Sequence, residues 1–343
     1  MKFLVRAVTA AATAALLTVV PATTAQAADP PTRPPVSGTL NTYNVSAVYV
    51  AGVSSGGYMA TQLHLAYSAR IRGAAIFAAG PYYCAQYNAA QATYGCMDDL
   101  WPTYLSTLKS YPPLWAAYGW IDPVANLSGR PVYAFRGNGD TVVRKSVNDA
   151  LVSFYQHFGA SVQYDTTSPA GHGWVTPYGT VGCSATAQPY LNDCGTDPQN
   201  AFLRKLLGSV SPRNTGALGG QLVSFNQSTF AVNGYAAGLS MGSTGFAYVP
   251  AACTAGQSCR LLVALHGCKQ GRAEVGTAFV DRANLNQYAD TNRLIVLYPQ
   301  AVPSAVNPNG CWDWWGYLGG TNYAIKGGAQ LETIMNMVRR LDG

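Results

Sequence analysis

Gly52-Val53-Ser54-Ser55-Gly56, close to the N-terminus, and Leu261-Leu262-Val263-Ala264-Leu265-His266-Gly267-Cys268, about 210 residues later, decide the fold. The first is a Gly-x-Ser-x-Gly elbow, a strained turn that lifts a serine hydroxyl off the end of a strand. The second is an apolar strand running into a His-Gly loop, the kind of segment that offers a backbone N–H to a developing oxyanion. The elbow pattern alone is weak evidence, because the chain has a second match, Gly238-Leu239-Ser240-Met241-Gly242. Context separates the two. Ser54 follows the β-branched run Val45 to Ala51 and precedes Gly56-Gly57 and a helical pattern. Ser240 precedes Ser-Thr-Gly-Phe-Ala-Tyr-Val-Pro, which reads as a turn and a strand, so its glycines belong to a hairpin loop.

Residues 1–27 read as a secretory signal. Lys2 and Arg6 give the charged start, Ala10 to Val20 the apolar run, and Ala25-Gln26-Ala27 the cleavage site. Residues 28–37 are a Pro-rich lead-in, and 38–343 are expected to form a single catalytic domain with no separate polymer-binding domain. No later run is apolar for long enough to span a bilayer, so the chain is expected to be secreted, extracellular and a monomer. The formal charge falls from +6 to +4 once Lys2 and Arg6 are removed, and no Lys/Arg cluster exists, which argues against nucleic acid. Eight cysteines in an exported chain imply disulfides. Close neighbours point to Cys84–Cys96, Cys183–Cys194 and Cys253–Cys259, leaving Cys268–Cys311. No Cys-x-x-Cys occurs and the histidines are dispersed, so neither a metal nor another cofactor is expected.

Strand and helix patterns alternate along the chain. Strands are expected at 45–51, 72–78, 131–135, 160–165, 222–225, 245–249, 260–265 and 293–298. Helices are expected at 57–69, 146–157, 200–207 and at the C-terminus, where Ile334, Met337, Val338 and Leu341 recur at helical spacing. Residues 81–128 read as an irregular insertion rich in Tyr and Trp. Such alternation implies a mostly parallel sheet covered on both faces. In an α/β-hydrolase the oxyanion loop precedes the nucleophile; here it follows. Numbering the elements from the Gly/Ser/Pro-rich connector at 208–220 restores the usual order. The fold class is therefore α/β, an α/β-hydrolase fold in circularly permuted form.

Ester chemistry needs a nucleophile, a base, a group that orients the base, and oxyanion donors. The chain order of this fold is Ser, acid, His. His172 lies between glycines in a loop after the last strand of the N-terminal half and is the expected base. His64 reads as a helix-face residue, His157 as a helix-end cation, and His266 as part of the oxyanion strand end. Asp140 follows a strand and a Gly-Asn-Gly turn at the ligand-binding edge of the sheet, which favours it over Asp122, Asp149 and Asp165. The N–H groups of Ser55 and Cys268 are the expected oxyanion donors. The densest aromatic run, Cys311-Trp312-Asp313-Trp314-Trp315-Gly316-Tyr317, offers substrate contacts through Trp312, Trp314 and Trp315 or else local packing. Tyr58 is a further candidate.

Gly52-Val-Ser-Ser-Gly-Gly-Tyr-Met59, the Gly-x-x-Asp140 turn, Gly171-His172-Gly173, Leu265-His-Gly-Cys268 and Cys311-Trp-Asp-Trp-Trp-Gly316 together resemble the extracellular polyhydroxybutyrate depolymerases. The resemblance is to the type whose lipase-box serine lies near the N-terminus, and it covers essentially the whole chain after the signal. It implies a serine esterase acting on poly(3-hydroxybutyrate), with Ser54, Asp140 and His172 as triad and a tryptophan from 312–315 on the substrate. Feruloyl and acetylxylan esterases are related sequences that share this catalytic set. A non-catalytic polymer-binding protein is the alternative from a different class.

Overall fold

Val45–Val53, apolar and β-branched, forms a strand at the middle of the sheet in a computed structural model of the chain. The structure describes Leu4 and residues 29–343; apart from Leu4, the residues read as a secretory signal lie outside it. In chain order the strands are β1 (Val36–Ser37), β2 (Val45–Val53), β3 (Ile71–Phe77), β4 (Pro131–Phe135), β5 (Ser161–Asp165), β6 (Trp174–Val175), β7 (Val181–Gly182), β8 (Leu191–Asp193), β9 (Gln221–Asn226), β10 (Thr244–Val249), β11 (Cys259–Leu265) and β12 (Leu294–Tyr298). The α-helices are α1 (Ser55–Ala66), α2 (Leu105–Ala117), α3 (Lys145–His157), α4 (Pro198–Leu207), α5 (Ala251–Thr254), α6 (Arg272–Val275), α7 (Ala278–Arg282), α8 (Leu285–Asn292) and α9 (Ala329–Asp342).

Nine strands form one sheet in the order β1-β9-β10-β12-β11-β2-β3-β4-β5, and β6, β8 and β7 form a small second one. Only β10 runs antiparallel to its neighbours in the large sheet. Counting from β9 and wrapping to β2 turns the eight strands from β9 to β5 into the sequence 1-2-4-3-5-6-7-8. The order that looks scrambled along this chain is thus that of an intact hydrolase sheet, entered at a different point.

Alternation along β2 sorts its side chains. Val48 and Val50 join one core with Met59 and Leu63 of α1, Phe154 of α3 and Ile334 and Val338 of α9. Ala51 and Val53 join the opposite core with Phe202 of α4 and Tyr288 of α8. Two faces are buried at once, which is why the strands read as continuous apolar runs. The place where the hydrolase order is cut is visible. Tyr43 donates its N–H to Leu341 O at 2.8 Å, and Arg340 Nε donates to Leu40 O at 2.8 Å. The end of α9 therefore sits where the chain enters β2.

The structure adds to the sequence reading, including the small sheet of β6, β8 and β7 and the helices α5 to α8. The insertion at 81–128, read as irregular, contains α2, which keeps its helix through Pro112-Pro113 although prolines disfavour a helix interior. The 208–220 connector leads into β9 and is held by Asp290 of α8, whose carboxylate accepts from the N–H groups of Gly219 and Gly220, from Asn214 Nδ2 and from Tyr248 Oη. Val36–Ser37 of the lead-in adds an edge strand to β9.

Burial pushes the Asp290 carboxyl up, but the hydrogen bonds from Tyr248, Asn214 and the two amides outweigh it and hold the group below its ordinary value. A depressed carboxyl gives stability that is present above the unfolded value and lost as the pH falls through the folded one. Asp290→Ala is expected to cost about 2 kcal/mol near neutral pH by stranding these donors. Thermal melts should show the gap to the parent chain narrowing in acid; a gap independent of pH would contradict the staple.

Candidate active site

Ser54 sits between β2 and α1 with φ 56° and ψ −124°, a left-handed φ that few residues other than glycine adopt. Two bonds hold it there: its N–H donates to Phe77 O at 2.9 Å, and its carbonyl accepts from Tyr58 N at 3.0 Å. The flanking glycines allow the crowding. A Cβ on Gly52 would lie 2.1 Å from Gly56 O, and one on Gly56 would lie 2.4 Å from both Leu265 O and His266 O. Helix α1 is thus pressed onto the end of β11, and the His-Gly loop is brought beside the serine.

Asp140 and His172 meet across two loops, with His172 Nδ1 2.9 Å from Asp140 Oδ2. Both residues are buried. The other carboxylate oxygen, Oδ1, accepts from the N–H groups of Val142 at 2.8 Å and Val143 at 3.0 Å. This arrangement has Nδ1–H donating to the carboxylate and leaves Nε2 free to accept a proton. The His172 loop is pinned from behind: its N–H donates to Thr186 Oγ1 at 3.0 Å, and Gly171 N donates to Cys183 O at 2.8 Å beside the Cys183–Cys194 disulfide. Ser54, His172, Gly267 and Cys268 all line one cavity of about 420 Å³.

Backbone amides in the His-Gly loop are allocated. Gly267 N donates to Gln270 Oε1 at 2.8 Å, and Lys269 N donates to Asn309 O at 2.7 Å. Between them, Cys268 N has no protein acceptor among the described residues, and neither has Ser55 N at the start of α1. Two free N–H groups at the cavity wall, one of them on a helix N-terminus, suit an anionic oxygen.

His266 is a support for this loop. Its Nδ1–H donates to Gly267 O at 2.7 Å and its Nε2 accepts from Ala301 N at 3.1 Å, the pattern of a neutral ring. Burial lowers its pKa to about 4. Trp312 is fully buried behind the same loop and donates Nε1–H to His266 O at 3.0 Å. Although grouped with the substrate contacts on sequence, Trp312 is therefore placed away from the cavity. Trp314, Trp315 and Tyr58 do line it. Trp314 stacks on Tyr58 with centroids 4.0 Å apart and planes 11° apart. Tyr58 Oη donates to Cys96 O, which ties this stack to the insertion. Asp313 caps the tryptophan loop by accepting from Gly316 N and Tyr317 N at 2.8 Å each, and burial raises its pKa to about 6.

The competing residues have other partners. Asp122 accepts from Ala69 N and pairs with Lys326, Asp149 pairs with Lys145, and Asp165 accepts from Tyr133 Oη. His64 is buried against Tyr155 at 3.1 Å, and burial lowers its pKa to about 3. Ser240 lies in the β9–β10 hairpin and donates to Ser304 Oγ. The four disulfides join Cys84–Cys96, Cys183–Cys194, Cys253–Cys259 and Cys268–Cys311. Sequence reasoning missed the apolar lining supplied by Ala92, Met97, Val142 and Val143. Only the position of Val142 and Val143, just past Asp140, could have signalled it.

No family model matches the chain. It is 44% identical over 299 residues to a poly(3-hydroxybutyrate) depolymerase of Delftia acidovorans, a stretch that is 85% of this chain and 59% of that one. It is 38% identical over 317 residues to a polyhydroxybutyrate depolymerase of Talaromyces funiculosus, covering 87% of this chain and 90% of the relative. The crystal structure of a PHB depolymerase from Penicillium funiculosum superposes with a TM-score of 0.82 at 38% identity, over 89% of this chain and 98% of that one. A PHB depolymerase with one serine replaced by alanine, complexed with an R3HB trimer, matches with a TM-score of 0.82 at 37% identity, over 89% of this chain and 98% of that one. With the hydrolase sheet, the strained serine and these relatives all in agreement, the chain belongs to the polyhydroxybutyrate depolymerases.

Proposed function

We propose that the protein hydrolyses poly(3-hydroxybutyrate), or a closely related short-chain polyester, to oligomers and monomer through an acyl-enzyme. The observation that carries this reading is the meeting of the Asp140–His172 pair, the strained Ser54 and two unengaged amides around one cavity. Ser54 Oγ attacks the ester carbonyl while His172 Nε2 takes its proton. The carbonyl oxygen becomes an anion held by the N–H groups of Ser55 and Cys268. Collapse breaks the ester C–O bond, and His172 returns the proton to the departing hydroxyl end of the polymer. Water, deprotonated by His172, then attacks the acyl-serine and releases the carboxylic acid fragment. Asp140 holds the imidazole in the right tautomer throughout and stabilises its charged form.

The cavity lining supports an acyl group with little polarity. Trp314, Trp315, Tyr58, Met97, Val142 and Val143 all line the cavity. Four disulfides, together with a chain in which no described helix is long and apolar enough to cross a membrane, support secretion. We take residues 38–343 as one catalytic unit that works as a monomer.

Ser54→Ala should abolish clearing of a poly(3-hydroxybutyrate) suspension and labelling by an organophosphate, with an unchanged circular dichroism spectrum. Residual clearing near the parent rate would reject Ser54. Asp140→Asn should lower turnover of a soluble ester by about 10⁴-fold, as loss of the orienting carboxylate does in serine proteases. A rate near that of the parent would reject Asp140 as the orienting acid.

A further inference from the structure

Arg136 follows the last residue of β4 and is buried, 7% exposed. A guanidinium removed from water is normally paired with a carboxylate. Here no carboxylate oxygen lies within 4.0 Å of it among the described residues. Its Nε is buried with no partner. Among the described residues, the one hydrogen bond of its side chain runs from Nη2 to the main-chain oxygen of Asp140, at 2.8 Å. An unpaired buried cation is costly, and this one is spent on the backbone of the residue that faces His172.

We propose that Arg136 is a positioning residue for the acid of the triad. Every polar group of Asp140 is then accounted for. The N–H donates to Gly137 O at 3.1 Å, Oδ1 accepts from the amides of Val142 and Val143, and Oδ2 faces His172. The main-chain oxygen would be left without a donor if Arg136 were absent. Arg136 is itself fixed, since its main-chain N–H donates to Asp165 O at 2.9 Å at the end of β5. The guanidinium thus links the position of the Asp140 turn to the neighbouring strand and sets the height of the carboxylate against the imidazole. A displacement near 1 Å in such a constellation costs about a hundredfold in rate.

This inference rests on Asp140 being the orienting acid. Arg136→Gln, Arg136→Gly, Arg136→Lys and Asp140→Asn, prepared in the full chain, would be assayed on p-nitrophenyl butyrate with kcat and KM resolved. Arg136→Gln should lower kcat about ten- to a hundredfold with KM within about twofold. The low-field proton NMR resonance of the His172–Asp140 hydrogen bond should shift or vanish. Arg136→Gly should regain kcat with added guanidinium ion and not with equal sodium chloride. Arg136→Lys keeps the charge without the planar fork, so its kcat should lie between those of the parent and the glutamine variant; it also serves if Arg136→Gln does not fold. Parent kcat and an unmoved resonance in a folded Arg136 variant would overturn the inference while Asp140→Asn remained inactive. Full activity in Asp140→Asn would instead remove the triad reading on which it rests.

Discussion

The site depends on one close approach, the seating of α1 on the end of β11. Backbone meets backbone there because Gly52 and Gly56 have no side chains to hold the helix away. The contact forces Ser54 into its left-handed φ and sets the free amide of Ser55 beside the loop that carries Cys268. Strain of this kind, of order 1–3 kcal/mol, persists only where the surroundings over-determine it. Here they include the Phe77 carbonyl, the turn to Tyr58 and a helix buried along its whole length.

Much of this was legible in the sequence because it rests on local rules. The β-branched run into Gly-x-Ser-x-Gly marks Ser54 at the strand-to-helix turn, and the apolar face of α9 marks its docking side. Asp140 and His172 stood out through glycines that bracket short loops after strands. The sheet order followed from treating the misplaced oxyanion loop as a rotation. What stayed hidden depends on tertiary neighbours. Trp312, Trp314 and Trp315 lie in a loop without periodicity, so nothing local says that the first supports His266 while the other two face the cavity. Helix α2 is held although Pro112-Pro113 would interrupt a helix in isolation. Arg136 reads as an ordinary strand-end cation until the fold shows it buried without an acidic partner.

Function and rigidity are divided between different bonds. The residues that touch the cavity hold few fixed partners of their own on that side, whereas the layer behind them is densely bonded. Gln270 takes the Gly267 amide and reaches back to Pro189 O and Tyr190 O, joining the His-Gly loop to the segment behind His172. The Cys268–Cys311 disulfide joins that loop to the tryptophans. His172, the Cys268 amide and the tryptophans therefore belong to one cross-linked body, although they come from segments far apart in the chain.

The pairing of β2 with β11 has a consequence for how the protein is made. Ser54 emerges from the ribosome about 210 residues before Cys268. The strands β2, β3, β4 and β5 and the Asp140–His172 pair all come from the part of the chain made before β11, which presses against α1. Such contacts between distant parts of a chain form late and slowly. Ser54 therefore meets the Cys268 amide only once β11 and the loop after it have been made.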